Sequence, residues 1–219
     1  AAAMPGEVLE TAMEKLPGVQ FINAFGQTET AATITMLTPD DHVLEGDADE
    51  VARKRKRLRS IGRPLPDVEV QIVDESGDEV AVGFTGEIVA RGDRLMKGYW
   101  NSPEATAGTI HDGWLHTGDV GFMDEDAYVV VRGRLSERLL VRDEYWYPRD
   151  IEEALLNHPS VKEAALVGAP DAELGTRPVA FVTASDGLDP DSLSVFLRGR
   201  VGADISVLAI HRLDSMPHT

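Results

Sequence analysis

The chain contains no cysteine, which excludes disulfide bonds and thiolate metal sites and fits a cytosolic protein. No apolar run reaches the roughly 20 residues that a membrane-spanning helix needs, so no transmembrane segment is expected. The amino terminus has neither the basic nor the apolar region of a secretory signal; Ala1-Ala2-Ala3-Met4 reads instead as the edge of a fragment. Basic charge is scarce. Twenty-one Lys and Arg stand against 38 Asp and Glu, for a formal net charge of -17, the reverse of the balance in a nonspecific nucleic-acid binder. The exception, Arg53-Lys54-Arg55-Lys56-Arg57 followed by Arg59, reads as a solvated face balanced by the acidic run Glu45 to Glu50. No nucleic-acid partner is expected. A Gly-x-Ser-x-Gly elbow, a zincin motif and a Walker A loop are all absent. The histidines show no metal-ligand spacing: His111, His116, His158, His211 and His218 read as ordinary surface or partly buried side chains, and His42 stands alone in a polar loop.

What is present is a globular composition, 219 residues of which 42% are hydrophobic, enough for a core or for one domain and a smaller one. Val8, Leu9, Ala12, Met13 and Leu16 recur at helical spacing and predict a helix over 7–16, stopped by Pro17-Gly18. A short buried strand is expected over 19–24, then loops over 31–60 with one charged helix near their end. Val68, Val70 and Ile72 alternate with Glu69 and Gln71, the pattern of a half-buried strand. Further strands are expected at 87–90 and 128–131, with glycine turns between. Beyond Gly133 the pattern predicts a helix over 149–157 opened by Pro148, strands at 161–167 and 178–183, a helix at 192–197 and a last strand over 205–211. The fold class is α/β and α+β. The chain divides into 1–61, a β-rich and barrel-like 62–133, and a small α+β unit 134–219.

Three segments carry chemistry. Phe25-Gly26-Gln27-Thr28-Glu29-Thr30 sets an aromatic ring, a glycine, a hydroxyl and a carboxylate side by side after a strand. Those groups suit a purine, a phosphate and Mg²⁺, which takes hard oxygen ligands and often only one or two from protein; a core aromatic and a self-capping turn would use the same residues. Asp119, in Thr117-Gly118-Asp119, either forms a turn or accepts from both hydroxyls of a ribose, with Trp114 as the apolar anchor of that loop. Arg134 at a domain junction offers either a surface ion pair or a guanidinium fork for ribose or phosphate oxygens.

As a set these segments resemble the adenylate-forming enzymes, the superfamily of acyl-CoA synthetases and AMP-dependent ligases, over nearly the whole chain. Phe25 to Glu29 is similar to the family's aromatic-Gly-x-Thr-Glu motif. Gly62-Arg63-Pro64, Gly86-Glu87 and Lys97-Gly98-Tyr99-Trp100 look like its connecting β-region. Asp119 falls in its Trp-x-x-Thr-Gly-Asp motif, Arg134 just before its interdomain hinge, and Tyr147 to Glu152 at the start of the first helix of its mobile C-terminal domain. The resemblance implies an incomplete adenylate-forming fold: the end of the large domain, the barrel-like subdomain and the small C-terminal domain. It implies that Phe25, Gly26 and Gln27 bind nucleotide, that Thr28 meets the acyl-phosphate, that Glu29 binds Mg²⁺, that Asp119 holds the ribose and that Arg134 reaches ribose or phosphate. The implied reaction forms an acyl-adenylate from a carboxylic acid and ATP, then passes the acyl group to the thiol of coenzyme A.

The sequence departs from the family at three places. The Ser/Thr/Gly-rich phosphate loop is not among these residues. The acidic hinge position is Ser136. The paired glycines beside the thiol tunnel are Arg142 and Asp143. Leu213 to Thr219 resembles the lead-in to the family's Gly-Lys motif, so the adenylation lysine is expected to fall beyond the chain, and these residues alone are expected to show no ligase turnover. The rival readings are an adenylation domain that loads a carrier protein and a non-catalytic interaction protein that keeps the fold. The acyl substrate is not legible, and the sequence leaves homo-oligomerisation open.

Overall fold

The computed structural model describes residues 6–185, 187–201 and 204–217; the readings of Ala1 to Met4 and of His218 and Thr219 lie outside them. The chain forms two compact units, 1–131 and 132–219.

In the first unit, α1 (Gly6–Lys15) leads to β1 (Asn23–Phe25), β2 (Thr35–Leu37), α2 (Ala48–Arg57) and β3 (Arg63–Pro64). The three strands form an antiparallel sheet in the order β1-β2-β3. The strand expected over 19–24 is confined to its last part, because Val19 and Ile22 are exposed and have no sheet to join. Sequence reading placed β2 in a loop. It is only three residues long, and one of its two fully buried side chains is the polar Thr35, whose hydroxyl donates to the Ile61 carbonyl at 2.7 Å. Helix α2 is capped by the Asp47 carboxylate, which accepts from the Glu50 N–H at 2.9 Å. Acidic residues fill its first turn and basic ones its last, matching the helix dipole. Lys54 pairs with Glu50, Arg55 with Glu10 and Arg57 with Asp126.

A second, antiparallel sheet is built from β4 (Val68–Val73), β5 (Gly86–Gly92), β6 (Ile110–His111), β7 (Trp114–Met123) and β8 (Val129–Arg134), with the short helix α3 (Pro103–Ala107) before β6. Its order is β4-β5-β7-β6, and β8 also pairs with β7. This is the β-rich, barrel-like part. Its core gathers Ile34, Ile61, Val68, Val70, Ile72, Ile88, Ala90 and Val129, with Phe25 packed against it. Residues 114–123, expected as a loop anchored by Trp114, are a continuous ten-residue strand. Leu115, Thr117 and Asp119 alternate inward along it. Two of those three are polar, so hydrophobic periodicity did not reveal the strand.

The second unit begins with a hairpin of β9 (Leu139–Val141) and β10 (Glu144–Trp146), joined by Arg142 and Asp143. Helix α4 (Pro148–Leu156) follows, then β11 (Val161–Asp171) antiparallel to β12 (Gly175–Ala184), helix α5 (Pro190–Leu197) and β13 (Ala209–Arg212), which is parallel to β12. Ile151, Leu155, Leu166, Ala180, Val182, Leu193 and Leu197 lie at the centre of its core. The last strand, expected over 205–211, starts only at Ala209. Ile205–Val207 instead forms a 3₁₀ turn held by the Asp204 carboxylate, which accepts from the Ser206 N–H. No helix among the described residues is long and apolar enough to cross a membrane.

Candidate nucleotide site

Strand β1 delivers Phe25 to the edge of the first unit's core, and its carbonyl accepts the Ile34 N–H at 2.8 Å. The chain then folds back so closely that a Cβ on Gly26 would run into the Ala32 carbonyl. Thr30 is fully buried and braces the turn from inside, its hydroxyl accepting from the Gln27 N–H and donating to the Gln27 carbonyl, both at 2.9 Å. That leaves Thr28 exposed and Glu29 half-buried on the 3₁₀ turn Thr28–Thr30. The exit is strained: Ala31 and Ala32 sit at φ of 48° and 91°, a conformation that costs about 1–3 kcal/mol per non-glycine residue and collects at functional sites.

A second segment closes on this turn. The Met96 N–H donates to the Glu29 carbonyl at 2.8 Å, and the Tyr99 hydroxyl donates to Glu29 Oε1 at 2.7 Å. The Glu29 carboxylate pushes the Tyr99 phenol above its ordinary value. Sequence reading gave Tyr99 no site role, since nothing in its spacing connects it to a residue 70 positions earlier. The described residues hold no cluster of three His, Cys, Asp or Glu side chains, so an all-protein metal cage is absent among them. A single carboxylate with one oxygen tied by a phenol fits Mg²⁺ held jointly by protein and substrate phosphates.

Asp119 lies on β7 and is 7% exposed. Its strand is pinned by Glu87 on β5, whose Oε1 accepts the Gly118 N–H at 2.9 Å while Oε2 meets His116 Nδ1 at 2.8 Å. The Thr117 hydroxyl donates to the Ile88 carbonyl at 2.6 Å and accepts the Asp119 N–H at 3.1 Å. Glu87 and Thr117 are therefore the residues behind Asp119; their signal lay in the Gly86-Glu87 and Thr117-Gly118-Asp119 segments, but no spacing rule joins the two. Phe25 and Ile88 share one core, so the Phe25–Thr30 turn and the Asp119 strand are built on common packing within the first unit.

The remaining candidates belong to the second unit. Arg134 is exposed at the end of β8, and its carbonyl accepts the Glu137 N–H at 3.1 Å; Ser136 is exposed in that turn. Arg142 holds a left-handed φ of 54° at the hairpin tip, donates its N–H to the Leu174 carbonyl at 3.0 Å and lies 3.7 Å from Asp204. Asp143 is exposed beside it. Arg132 Nε donates to Asp150 at 2.9 Å and its guanidinium lies over the Tyr147 ring. Glu152 accepts the Leu166 N–H at 2.8 Å; burial pushes its carboxyl up, and that bond only partly offsets it.

A cleft of about 220 Å³ in the first unit is lined by Met13, Leu16, Phe21, Asp40, His42 and Val43, none of them a candidate residue. His42, expected in a polar loop, is 6% exposed, and its Nδ1 bonds the Thr38 carbonyl at 2.7 Å.

Comparison with known proteins places these observations. The family described as AMP-binding enzyme matches residues 1–100, and the AMP-binding enzyme C-terminal domain matches residues 150–219. A fatty acid–[acyl-carrier-protein] ligase of Streptomyces coeruleorubidus is 38% identical over 200 residues, which are 90% of this chain and 37% of that protein. Among solved structures, an amide bond synthetase of Marinactinospora thermotolerans superposes with a TM-score of 0.84 at 37% identity, covering 99% of this chain and 42% of that one. The o-succinylbenzoate coenzyme A synthetase of Bacillus subtilis, in complex with ATP and magnesium ion, superposes with a TM-score of 0.81 at 29% identity over 99% of this chain and 42% of that one. The chain thus spans about two fifths of the length of the relatives it matches.

Proposed function

Because the chain belongs to the adenylate-forming enzyme superfamily of acyl-CoA synthetases and AMP-dependent ligases, we propose that it supplies the adenine-nucleotide site of an ATP-dependent acid–thiol ligase. The observation that carries this reading is the Phe25–Thr30 turn, with its close glycine approach, strained exit and presented carboxylate. In this reading Phe25 offers its ring to adenine, and Gly26 and Gln27 admit the nucleotide to the backbone. Thr28 donates to the acyl-phosphate, Asp119 accepts from the ribose hydroxyls, and Arg134 forks onto ribose or phosphate oxygens. Glu29 would hold Mg²⁺, which when bound neutralises charge on the phosphates. A carboxylate oxygen attacks the α-phosphorus of ATP, pyrophosphate leaves, and a thiol then displaces AMP from the acyl-adenylate. Ser136 marks the hinge about which the small unit 134–219 moves against 1–61 and 62–133. The substrates are a carboxylic acid, ATP and coenzyme A, and the absence of cysteine favours a cytoplasmic setting.

A second reading, transfer to the thiol of a carrier protein, draws on the chain's similarity to an acyl-carrier-protein ligase. Arg142 and Asp143, where the resemblance expects small residues beside a thiol tunnel, bear on both acceptors alike, and Arg142 lies 3.7 Å from Asp204. The test grafts these 219 residues into the corresponding part of a full-length relative and measures acid-dependent pyrophosphate release, then acyl transfer to coenzyme A, a carrier protein or an amine. Acid-dependent release that is lost in Glu29→Gln supports the ligase reading. Release unaffected by that substitution contradicts the role given to Glu29, and the preferred acceptor separates the two readings.

A further inference from the structure

We infer that Tyr99 is a positioning residue for Glu29, its hydroxyl setting the carboxylate so that one oxygen is taken and the other is left for a divalent cation. The inference rests on the reading of Glu29 as the metal-binding carboxylate and adds a residue to it.

The geometry is specific. Glu29 sits on a turn whose backbone is braced by Thr30, but its own side chain is half exposed and has several rotatable bonds. Left alone, it would sample several rotamers and lose that freedom on binding a metal. The Tyr99 hydroxyl donates to Oε1 at 2.7 Å, while no side chain among the described residues bonds Oε2. A carboxylate held this way would offer a metal its other oxygen.

Tyr99 is itself held. Its N–H donates to Thr106 Oγ1 at 2.9 Å, and that hydroxyl donates to the Ser102 carbonyl at 2.9 Å. Gly98 precedes it at a φ of 150°, and a Cβ there would lie 2.9 Å from Thr106, so the loop reaches the turn only with glycine at this position. The Met96 N–H on the Glu29 carbonyl fixes the same two segments at a second point. Two backbone anchors and one phenol, which Thr109 also meets, therefore aim a single carboxylate. Partners that orient a metal ligand from behind commonly matter about tenfold or more in metal affinity.

The test is calorimetric titration of the chain with ATP in the presence of Mg²⁺ and again in EDTA, for the parent sequence, Tyr99→Phe and Glu29→Gln. The readout is the gain in ATP affinity that Mg²⁺ confers. Tyr99→Phe is expected to shrink this gain about tenfold while leaving metal-free ATP affinity unchanged; a merely structural role for Tyr99 would lower both. Glu29→Gln is expected to abolish it. If Glu29→Gln loses the gain and Tyr99→Phe keeps it, the role of Tyr99 is overturned and the metal reading stands. If Glu29→Gln keeps the gain, or the parent sequence shows none, the metal reading falls and Tyr99 with it. Should Tyr99→Phe fail to fold, Thr106→Val, which leaves the phenol in place but removes its anchor, takes its place: a reduced gain supports the assignment, and an unchanged one overturns it.

Discussion

Gly26 has the least latitude of any residue in the candidate site. Any side chain meets the Ala32 carbonyl, and backbone does not move aside as a flexible side chain would. Gly26→Ala should cost about 1–3 kcal/mol, the usual range for an overpacked position, and should weaken AMP binding; urea denaturation and titration with AMP measure the two effects. An alanine variant with parental stability would mean that the turn is looser than described. Glu87 is the second such residue. Replacing it with alanine leaves the buried-side Gly118 N–H and His116 without their acceptor, a loss of about 1–3 kcal/mol. Glu87→Ala is therefore expected to lower both stability and AMP affinity, whereas Glu87→Gln, which keeps an acceptor for Gly118, should lower both less. If titration finds nucleotide affinity equal in all three, Glu87 does not position Asp119.

At the scale of elements, one cluster of contacts joins four of them. The Tyr128 hydroxyl, at the entry to β8, donates to Asp41 in the 3₁₀ turn after β2, and the Arg57 and Arg63 guanidinium groups lie 4.5 and 5.0 Å from the Tyr128 ring centroid. Burial by itself would push the Asp41 carboxyl up. The hydroxyls of Tyr128 and Thr38, the Thr38 N–H and the charge of Arg63 together hold it below its ordinary value. A group so depressed contributes stability that is present above the unfolded value of about 3.9 and is lost as pH falls through the lower folded value. Asp41→Asn should thus cost about 1 kcal/mol near pH 6, a modest figure because the site is partly solvated, and the difference from the parent should narrow as acid protonates the parent's own carboxylate. Denaturation midpoints across the acid range check this; a constant difference would show that the charge is not what Asp41 contributes.

Elements differed in how openly the sequence declared them. The strand β4 and the helix α4 were plain, because Val68, Val70 and Ile72 alternate strictly and Ile151, Ala154 and Leu155 make one helical face opened by Pro148. β7 was hidden because Thr117 and Asp119 occupy inward positions. β2 was hidden by its length, and the hairpin β9–β10 by a tip that uses Arg142 at positive φ where glycine or asparagine would have announced a turn. Phe25, Glu29 and Asp119 could be singled out from residue type and order. The links among Tyr99, Glu87, Thr117 and those residues could not, since each spans 29, 31 or 70 positions or depends on a strand that periodicity did not reveal.

For the whole molecule, the account is that an acidic chain of -17 formal charge nevertheless receives a nucleotide. In the proposed reading it does so through local geometry: backbone approach at Gly26, an aromatic face at Phe25 and a carboxylate at Asp119 that would accept from hydroxyls and has no need of a cationic surface. The measurement that tests it most directly is calorimetric titration of the chain with AMP, alongside Asp119→Ala. One saturable site, weakened at least about tenfold by loss of the charge-assisted bonds to the ribose, is the predicted result. No saturable binding, or binding equally strong in Asp119→Ala, would contradict it.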